Sequence, residues 1–301
     1  MRIQSNRLKD ILAFAKAELA PFYPEREIQS FFYLLCEAYL GMNKTAVILD
    51  LDKPVSESEL LKFNFAIKDL KKEKPIQYIL GETEFCDLKF KVNEFTLIPR
   101  PETEELVYWI VEKKKDKQPL RILDIGTGSG CIAISLAKNL PLATVQGIDI
   151  SIEALKIAQE NGRLLKTRVD FFILDILNPA PSFSSELDLI VSNPPYVLES
   201  EKCFMRKNVL DYEPNRALFV KDSNPLLFYL KIVEFAKSHL VENGNIYFEI
   251  NESKSEELSQ LLQANGYEQI EIRKDISGKA RMMCAQKKHS PNPSDSGYAI
   301  H

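Results

Sequence analysis

Apolar residues recur at three- and four-residue spacing through the first quarter of the chain, and the spacing then changes. The segments LKDILAFAKAELA (8–20), EREIQSFFYLLCEAYL (25–40) and SESELLKFNFAIKDLKKE (56–73) each carry one apolar stripe, which predicts three helices. Ser56 and Glu59 stand at the spacing of a capping box at the head of the third. We read residues 1–75 as a small helical bundle, with Phe31, Phe32, Tyr33 and Tyr39 in its core. Residues 76–100 alternate in the manner of strands around Gly81 and Asp87 and predict a connecting hairpin. Strand patterns then follow at 121–126, 144–150, 168–176, 187–195 and 244–250, with helical patterns at 130–139, 152–165 and 225–241. Alternation of this kind implies a parallel sheet built from right-handed crossovers. The last two strands, 267–275 and 280–288, flank the short turn 276–279, so the final strand is expected to run antiparallel at one edge. The expected fold is therefore α/β, a seven-stranded Rossmann-like sheet with an antiparallel last strand behind a helical bundle. Residues 289–301 have the polar, turn-forming composition of a disordered tail.

Composition narrows the functions open to this fold. The chain has 301 residues, 45% hydrophobic and 27% charged, enough for two domains with a sizeable core. No apolar run approaches the ~18 residues of a membrane span, and residues 1–19 lack the apolar core of a signal peptide. Five widely spaced cysteines with no C-x-x-C pair fit reduced thiols in a cytoplasmic protein. A net charge of −4 argues against nucleic acid as substrate, and the basic clusters at 68–74 and 112–117 are interrupted by acids. Only three histidines are present, so neither a zinc site nor a histidine-activated nucleophile has raw material, and no metal is expected.

Two motifs carry chemistry. The first is ILDIGTGSGCIAISLAK (122–138), a strand, a glycine-rich turn and a helix. It reads D-x-G-x-G-x-G rather than the dinucleotide G-x-G-x-x-G, with Asp124 ahead of Gly126, Gly128 and Gly130 and with Thr127 and Ser129 between them. A carboxylate there repels a pyrophosphate but suits S-adenosylmethionine, which has a sulfonium, an ammonium and a ribose diol in place of phosphate. Asp149 ends the second strand about twenty residues on, where it can accept both ribose hydroxyls, and Asp175 or Ile176 would border the adenine. The second motif is SNPPYV (192–197), at the end of the fourth strand. The Asn193 side-chain oxygen and the Pro194 carbonyl can accept both N–H groups of a planar amide or amine and aim its nitrogen at a methyl. Pro194 and Pro195 fix that geometry in advance, and Tyr196 offers a face for a planar group. The same arrangement suits adenine, cytosine, guanine or a glutamine amide.

The residues as a set resemble the bacterial release-factor glutamine methyltransferases, the HemK family. Beyond the two motifs, the resemblance is carried by PIQYILGETEFCDLKFKVNEFTLIPRPETEELV (75–107), GIDIS (147–151), YEPNRAL (212–218) and ISGKARMM (276–283). It implies methyl transfer from S-adenosylmethionine to the glutamine of the Gly-Gly-Gln loop of peptide-chain release factors. It further implies a methyltransferase domain over 101–288 and a bundle that recognises the protein substrate; a monomer is expected. The contacts it implies are Gly126 to Gly130, Asp149, Asp175, Ile176 and Asn193 for the cofactor, and Asn193 to Tyr196 for the glutamine. Arg100 and Glu102, placed in the hairpin, either close the site or form an interdomain salt bridge. Two positions depart from the family pattern: Asn251, where glycine is usual, and Ala280, where an acid is common. A nucleic-acid amino-methyltransferase and a non-catalytic adaptor are the rival readings.

Overall fold

A computed structural model describes residues 5–115, 119–179 and 186–289. The disorder expected over 289–301 falls, but for His289, outside the described residues. The chain divides into two compact units, one of Met1–Glu82 with Met205–Tyr212 and one of Thr83–Phe204 with Glu213–His301.

The first unit is helical. Helices Leu8–Leu19, Glu25–Leu40 and Glu57–Leu70 turn their apolar stripes to one another, and Leu8, Ile11, Ala15 and Leu19 repeat at helical spacing in its core. Ser56 and Glu59 close the anticipated capping box: each side chain bonds the other's backbone N–H. Such a box satisfies two of the donors that a helix start leaves without partners. A six-residue helix, Lys44–Leu49, capped by Asn43, was not anticipated. Of the aromatic stripe, Phe32 is fully enclosed, while Phe31, Tyr33 and Tyr39 pack on the core from its margin.

The hairpin expected over 76–100 is shorter than that. Ile76–Leu80 is a helix, begun at Pro75 and ended by Gly81 in the left-handed region. In IQYIL, Ile76, Tyr78 and Leu80 fit a strand's period and Ile76, Ile79 and Leu80 a helix's, so the apolar pattern does not separate strand from helix here. The hairpin is Glu82–Phe85 with Leu88–Lys91, and Cys86 and Asp87 both take positive φ in its two-residue turn. Arg100 and Glu102 lie beyond it: Arg100 precedes the helix Pro101–Lys114, and Glu102 is on that helix's first turn. Pro101 opens the helix because its missing N–H would have had no partner there.

The second unit is built on a seven-stranded sheet. We label its strands β1 (Arg121–Ile125), β2 (Thr144–Asp149), β3 (Val169–Ile173), β4 (Leu187–Ser192), β5 (Leu240–Glu249), β6 (Tyr267–Lys274) and β7 (Ala280–Lys287). Their order is β6-β7-β5-β4-β1-β2-β3. The five strands β5, β4, β1, β2 and β3 run parallel, and β7 runs antiparallel to both neighbours. The anticipated sheet is therefore present, with β7 inside it and β6 at the edge. Helices cover both faces, so β1 and β4 are buried along nearly their whole length. Successive residues feed opposite cores: Ile122 joins Trp109, Ile132 and Leu136, whereas Leu123 and Ile125 join Ile232, Phe248 and Leu258. Sequence order reverses between β1 and β4, and in open α/β sheets ligands bind at such a switch, beyond the carboxyl ends of the strands.

Candidate active site

The carboxyl ends of β1, β2, β3 and β4 open onto one cavity of about 440 Å³. Its wall is mostly apolar and includes Phe95, Leu97, Ile148, Leu174, Ile176 and Phe228. Gly126, Gly128, Asp149, Asp175, Ile176, Asn193, Pro194 and Pro195 all line it. Asp124, Thr127, Ser129, Gly130, Tyr196, Arg100 and Glu102 do not, and each has another place in the structure.

The glycine turn does two separate jobs. Gly126 and Gly128 have φ of +74° and +55°, and a Cβ on either would enter open space. Since both line the cavity, their lack of side chains keeps its floor clear for a ligand. Gly130, at φ +79°, has a packing role: a Cβ there would lie 3.1 Å from Ala158, Ile134 and Phe171. Thr127 and Ser129 are buried, and the Thr127 hydroxyl donates to Asp124 Oδ2 at 2.6 Å.

Asp124 is fully buried and braces the turn from behind. Its Oδ2 also accepts from the Ala133 N–H at 3.2 Å, while Oδ1 has no hydrogen-bond partner among the described residues. Burial pushes its carboxyl up to about 7, against the pull of the Thr127 and Ala133 donors and with some help from Asp149. A raised carboxyl favours the protonated native state, so its contribution is greatest below the unfolded pKa of 3.8 and is lost as pH rises through about 7. At 1.36 kcal/mol per pKa unit this amounts to at most about 4 kcal/mol. Asp124→Asn, which cannot ionise, should remove that loss. Denaturant unfolding of both proteins at about pH 5 and about pH 8 checks it, and equal pH slopes would count against a buried acid here.

Asp149 ends β2 with both oxygens engaged. Oδ2 accepts the Gly128 N–H and Oδ1 the Ser151 N–H, each at 2.9 Å. Burial raises its carboxyl, while the backbone donors and the Arg216 charge oppose that rise. Each oxygen keeps a further lone pair for a ligand. Asp175 is held likewise, by the Leu177 N–H at 2.9 Å and Asn178 Nδ2 at 3.1 Å. A mostly apolar cavity with two carboxylates, one guanidinium and a bare glycine floor fits S-adenosylmethionine: a planar base, a ribose diol and a positive charge all find partners.

At the end of β4, Asn193 is fixed by a buried chain of hydrogen bonds. Its Nδ2 donates to Thr103 Oγ1 at 3.2 Å, and Thr103 Oγ1 donates to Glu249 Oε2 at 2.5 Å. The Tyr196 hydroxyl donates to Glu249 Oε1 at 2.8 Å. Thr103 and Glu249 are almost wholly enclosed. Burial raises the Glu249 carboxyl, and the two hydroxyls and the Arg281 charge draw it back down. Burial beside Glu249 holds the Tyr196 phenol well above its ordinary value, so it stays protonated and donates. Tyr196 thus anchors the tetrapeptide through its hydroxyl, and its partly buried ring packs against the core and is not among the residues lining this cavity. Arg100 pairs with the buried Glu213 at 2.5 Å, and Glu213 also accepts from the Ile98 N–H at 3.1 Å. Both partners lie in one unit, so this bridge is not interdomain.

Comparison with known proteins places this geometry. Residues 106–211 match the methyltransferase small domain, and residues 10–81 match the PrmC N-terminal domain. The release factor glutamine methyltransferase of Flavobacterium psychrophilum is 49% identical over 268 residues, 88% of this chain and 94% of that protein. The chain belongs to the release factor glutamine methyltransferase family. That of Bacteroides thetaiotaomicron is 43% identical over 277 residues, covering 92% of this chain and 99% of its own. Among solved structures, the METTL16 methyltransferase domain aligns with TM-score 0.50 at 15% identity, covering 67% of this chain and 89% of that one, a likeness of fold alone.

Within this family of S-adenosylmethionine-dependent methyltransferases, Asn251 has an evident role in this chain. Its Nδ2 donates to the Tyr196 carbonyl at 3.2 Å and to Glu201, and its Oδ1 accepts the Ser253 N–H at 3.0 Å. It supports the tetrapeptide from behind. Ala280 merely starts β7 opposite Lys274. Phe95, Leu97, Thr103, Arg216 and Glu249 were not among the anticipated site residues. The first four lie inside segments that carry the family resemblance, which was the available signal; Glu249 sits at the end of a plain strand pattern.

Proposed function

We propose that this protein transfers a methyl group from S-adenosylmethionine to the side-chain amide nitrogen of the glutamine in the Gly-Gly-Gln motif of peptide-chain release factors. It acts as a cytoplasmic monomer, with the helical bundle contributing to recognition of the release factor. The observation that carries the reading is Asn193: its amide nitrogen is tied back to Thr103 and, among the described residues, no group donates to its oxygen.

Bound, S-adenosylmethionine would supply an electrophilic methyl on a sulfonium, and breaking the S–CH3 bond would leave the neutral thioether S-adenosylhomocysteine. Gly126, Gly128, Asp149, Asp175 and Ile176 would hold it. Asn193 Oδ1 and the Pro194 carbonyl accept the two N–H groups of the substrate amide, whose lone pair is otherwise delocalised and weakly nucleophilic. They turn its nitrogen toward the methyl and favour the positive charge that grows there as the bond forms. The amide then sheds one proton to solvent, so no dedicated base is needed beforehand. The rigid prolines hold these acceptors before substrate arrives, which lowers the entropic cost of alignment.

Intact-mass and peptide mass spectrometry of a purified release factor incubated with the protein and S-adenosylmethionine tests this directly. One added methyl on the Gly-Gly-Gln glutamine is expected. With RNA, DNA and ribosomal protein incubated in parallel, a methyl found instead on nucleic acid would move the substrate to an exocyclic amine, and one on a ribosomal-protein glutamine would move it to that protein.

A further inference from the structure

We propose that Thr103 is a positioning residue for Asn193: its hydroxyl proton is committed to Glu249, so it can only accept from the Asn193 amide, and this fixes which end of that amide meets the substrate. The proposal rests on the function given above and adds the device that sets the amide's polarity.

A primary amide has two ends of nearly equal size and opposite hydrogen-bonding sense. Turned one way, Asn193 offers an oxygen to the substrate's N–H. Turned the other way, it offers an NH2, sets donor against donor and opposes the positive charge developing on the nitrogen. A hydroxyl alone does not choose between these, because it can donate to the amide oxygen or accept from the amide nitrogen. Glu249 removes the choice.

Glu249 is 1% exposed, and in its ionised form, which the Thr103 and Tyr196 donors and the Arg281 charge favour against burial, it is an acceptor only. Its two oxygens are met by two hydroxyls, Tyr196 at 2.8 Å on Oε1 and Thr103 at 2.5 Å on Oε2. Turning the Thr103 proton away would leave a buried charged oxygen without that donor, and such groups are costly to leave unpaired. The Thr103 proton therefore stays on Glu249. Its oxygen then has only lone pairs to present at 3.2 Å to Asn193, whose NH2 must turn inward and whose oxygen must turn out. The three residues come from the first turn of the helix Pro101–Lys114, the end of β4 and the end of β5, so the relay is held by rigid elements rather than by loop contacts.

The test uses the full chain and compares Thr103→Val, which keeps the shape and removes the hydroxyl, with Thr103→Ser, which keeps the hydroxyl. With release factor as substrate, Thr103→Val is expected to lower kcat about 10- to 100-fold while changing KM for S-adenosylmethionine by less than about threefold. Thr103→Ser should recover most of the loss. In an Asn193→Ala background, Thr103→Val should cost nothing further, because a residue acting only through Asn193 has nothing left to orient. A second reading needs no turnover. The side-chain NH2 signals of Asn193, assigned by their absence in Asn193→Ala, should exchange slowly with solvent in the parent and in Thr103→Ser, and quickly in Thr103→Val. Full activity in Thr103→Val, an undiminished loss in the Asn193→Ala background, or unchanged exchange of those signals would each overturn the proposal. If the parent fails to methylate release factor, the assigned substrate is at fault, and the exchange measurement still decides whether Thr103 holds the amide.

Discussion

Asn193→Ala is expected to bind S-adenosylmethionine within about threefold of the parent affinity and to lose about 10²- to 10³-fold in kcat, the usual consequence of removing one preorganised group from a transition-state contact. The separation follows from where the side chain sits. The glycine floor, Asp149 and Asp175 lie at the ends of β1, β2 and β3, whereas Asn193 stands at the end of β4. Its amide nitrogen is already engaged by Thr103, so its oxygen is the part left to act. Losing that oxygen leaves the substrate amide held by the Pro194 carbonyl alone and free to rotate about a single hydrogen bond. Alignment and charge stabilisation are lost together. Asn193→Asp should fare no better, because a carboxylate cannot donate to Thr103 and would place a second negative charge near the buried Glu249. Titration calorimetry for the cofactor and single-turnover rates with release factor separate the two effects. Undiminished turnover in Asn193→Ala would remove Asn193 from the mechanism.

The parts of this site that could be read from sequence are those built from neighbours in the chain. The glycine turn, Asp149 after the second strand and the Asn193 tetrapeptide each combine a local motif with a strand end, and a parallel sheet brings strand ends to one edge. The relay behind Asn193 has no such local sign. Thr103 is 90 residues from Asn193 and 146 from Glu249, and only the packing of the helix Pro101–Lys114 against β5 makes them adjacent. Asp124 shows the same limit in reverse. Its position before the first glycine suggests contact with the cofactor, but alternation along β1 turns it to the same side of the sheet as Ile122, where Thr127 and Ala133 meet it. The secondary-structure differences are not all in short elements: the fourteen-residue helix Pro101–Lys114 and the ten-residue helix Ser255–Ala264 are absent from the sequence reading, as are the short helices Lys44–Leu49 and Ile76–Leu80. Ile76–Leu80 spans little more than one turn, and over that length a buried helix and a buried strand present the same apolar pattern. The Tyr196 hydroxyl has no local sign either: an aromatic ring beside a ligand site suggests stacking, and nothing in the sequence shows that its hydroxyl meets a buried carboxylate.

Asp149→Asn should produce the complementary result, a loss of about 100-fold or more in affinity for S-adenosylmethionine. Asp149 has two acceptor oxygens, and both already take backbone N–H groups, from Gly128 and Ser151. A ribose diol would use the remaining lone pair on each. Asparagine keeps the shape but has one acceptor, so its NH2 must face either the Gly128 or the Ser151 N–H, donor to donor. One backbone tie is then broken whichever way it turns, together with one of the two bonds to the diol. Hydrogen bonds to a charged group are worth about 1.5 to 3 kcal/mol each, so the loss of one bond and of the charge shared by both accounts for the expected factor. Because Gly128 belongs to the cavity floor, freeing it also loosens the glycine turn, and the effect should fall on cofactor binding rather than on the rate at saturation. Calorimetric titration, with single-turnover rates measured at saturating cofactor, distinguishes this from Asn193→Ala: one variant loses binding and regains rate when saturated, the other binds and stays slow. If Asp149→Asn binds as the parent does, the diol is held elsewhere, and Asp175, the other carboxylate lining the cavity, becomes the residue to replace.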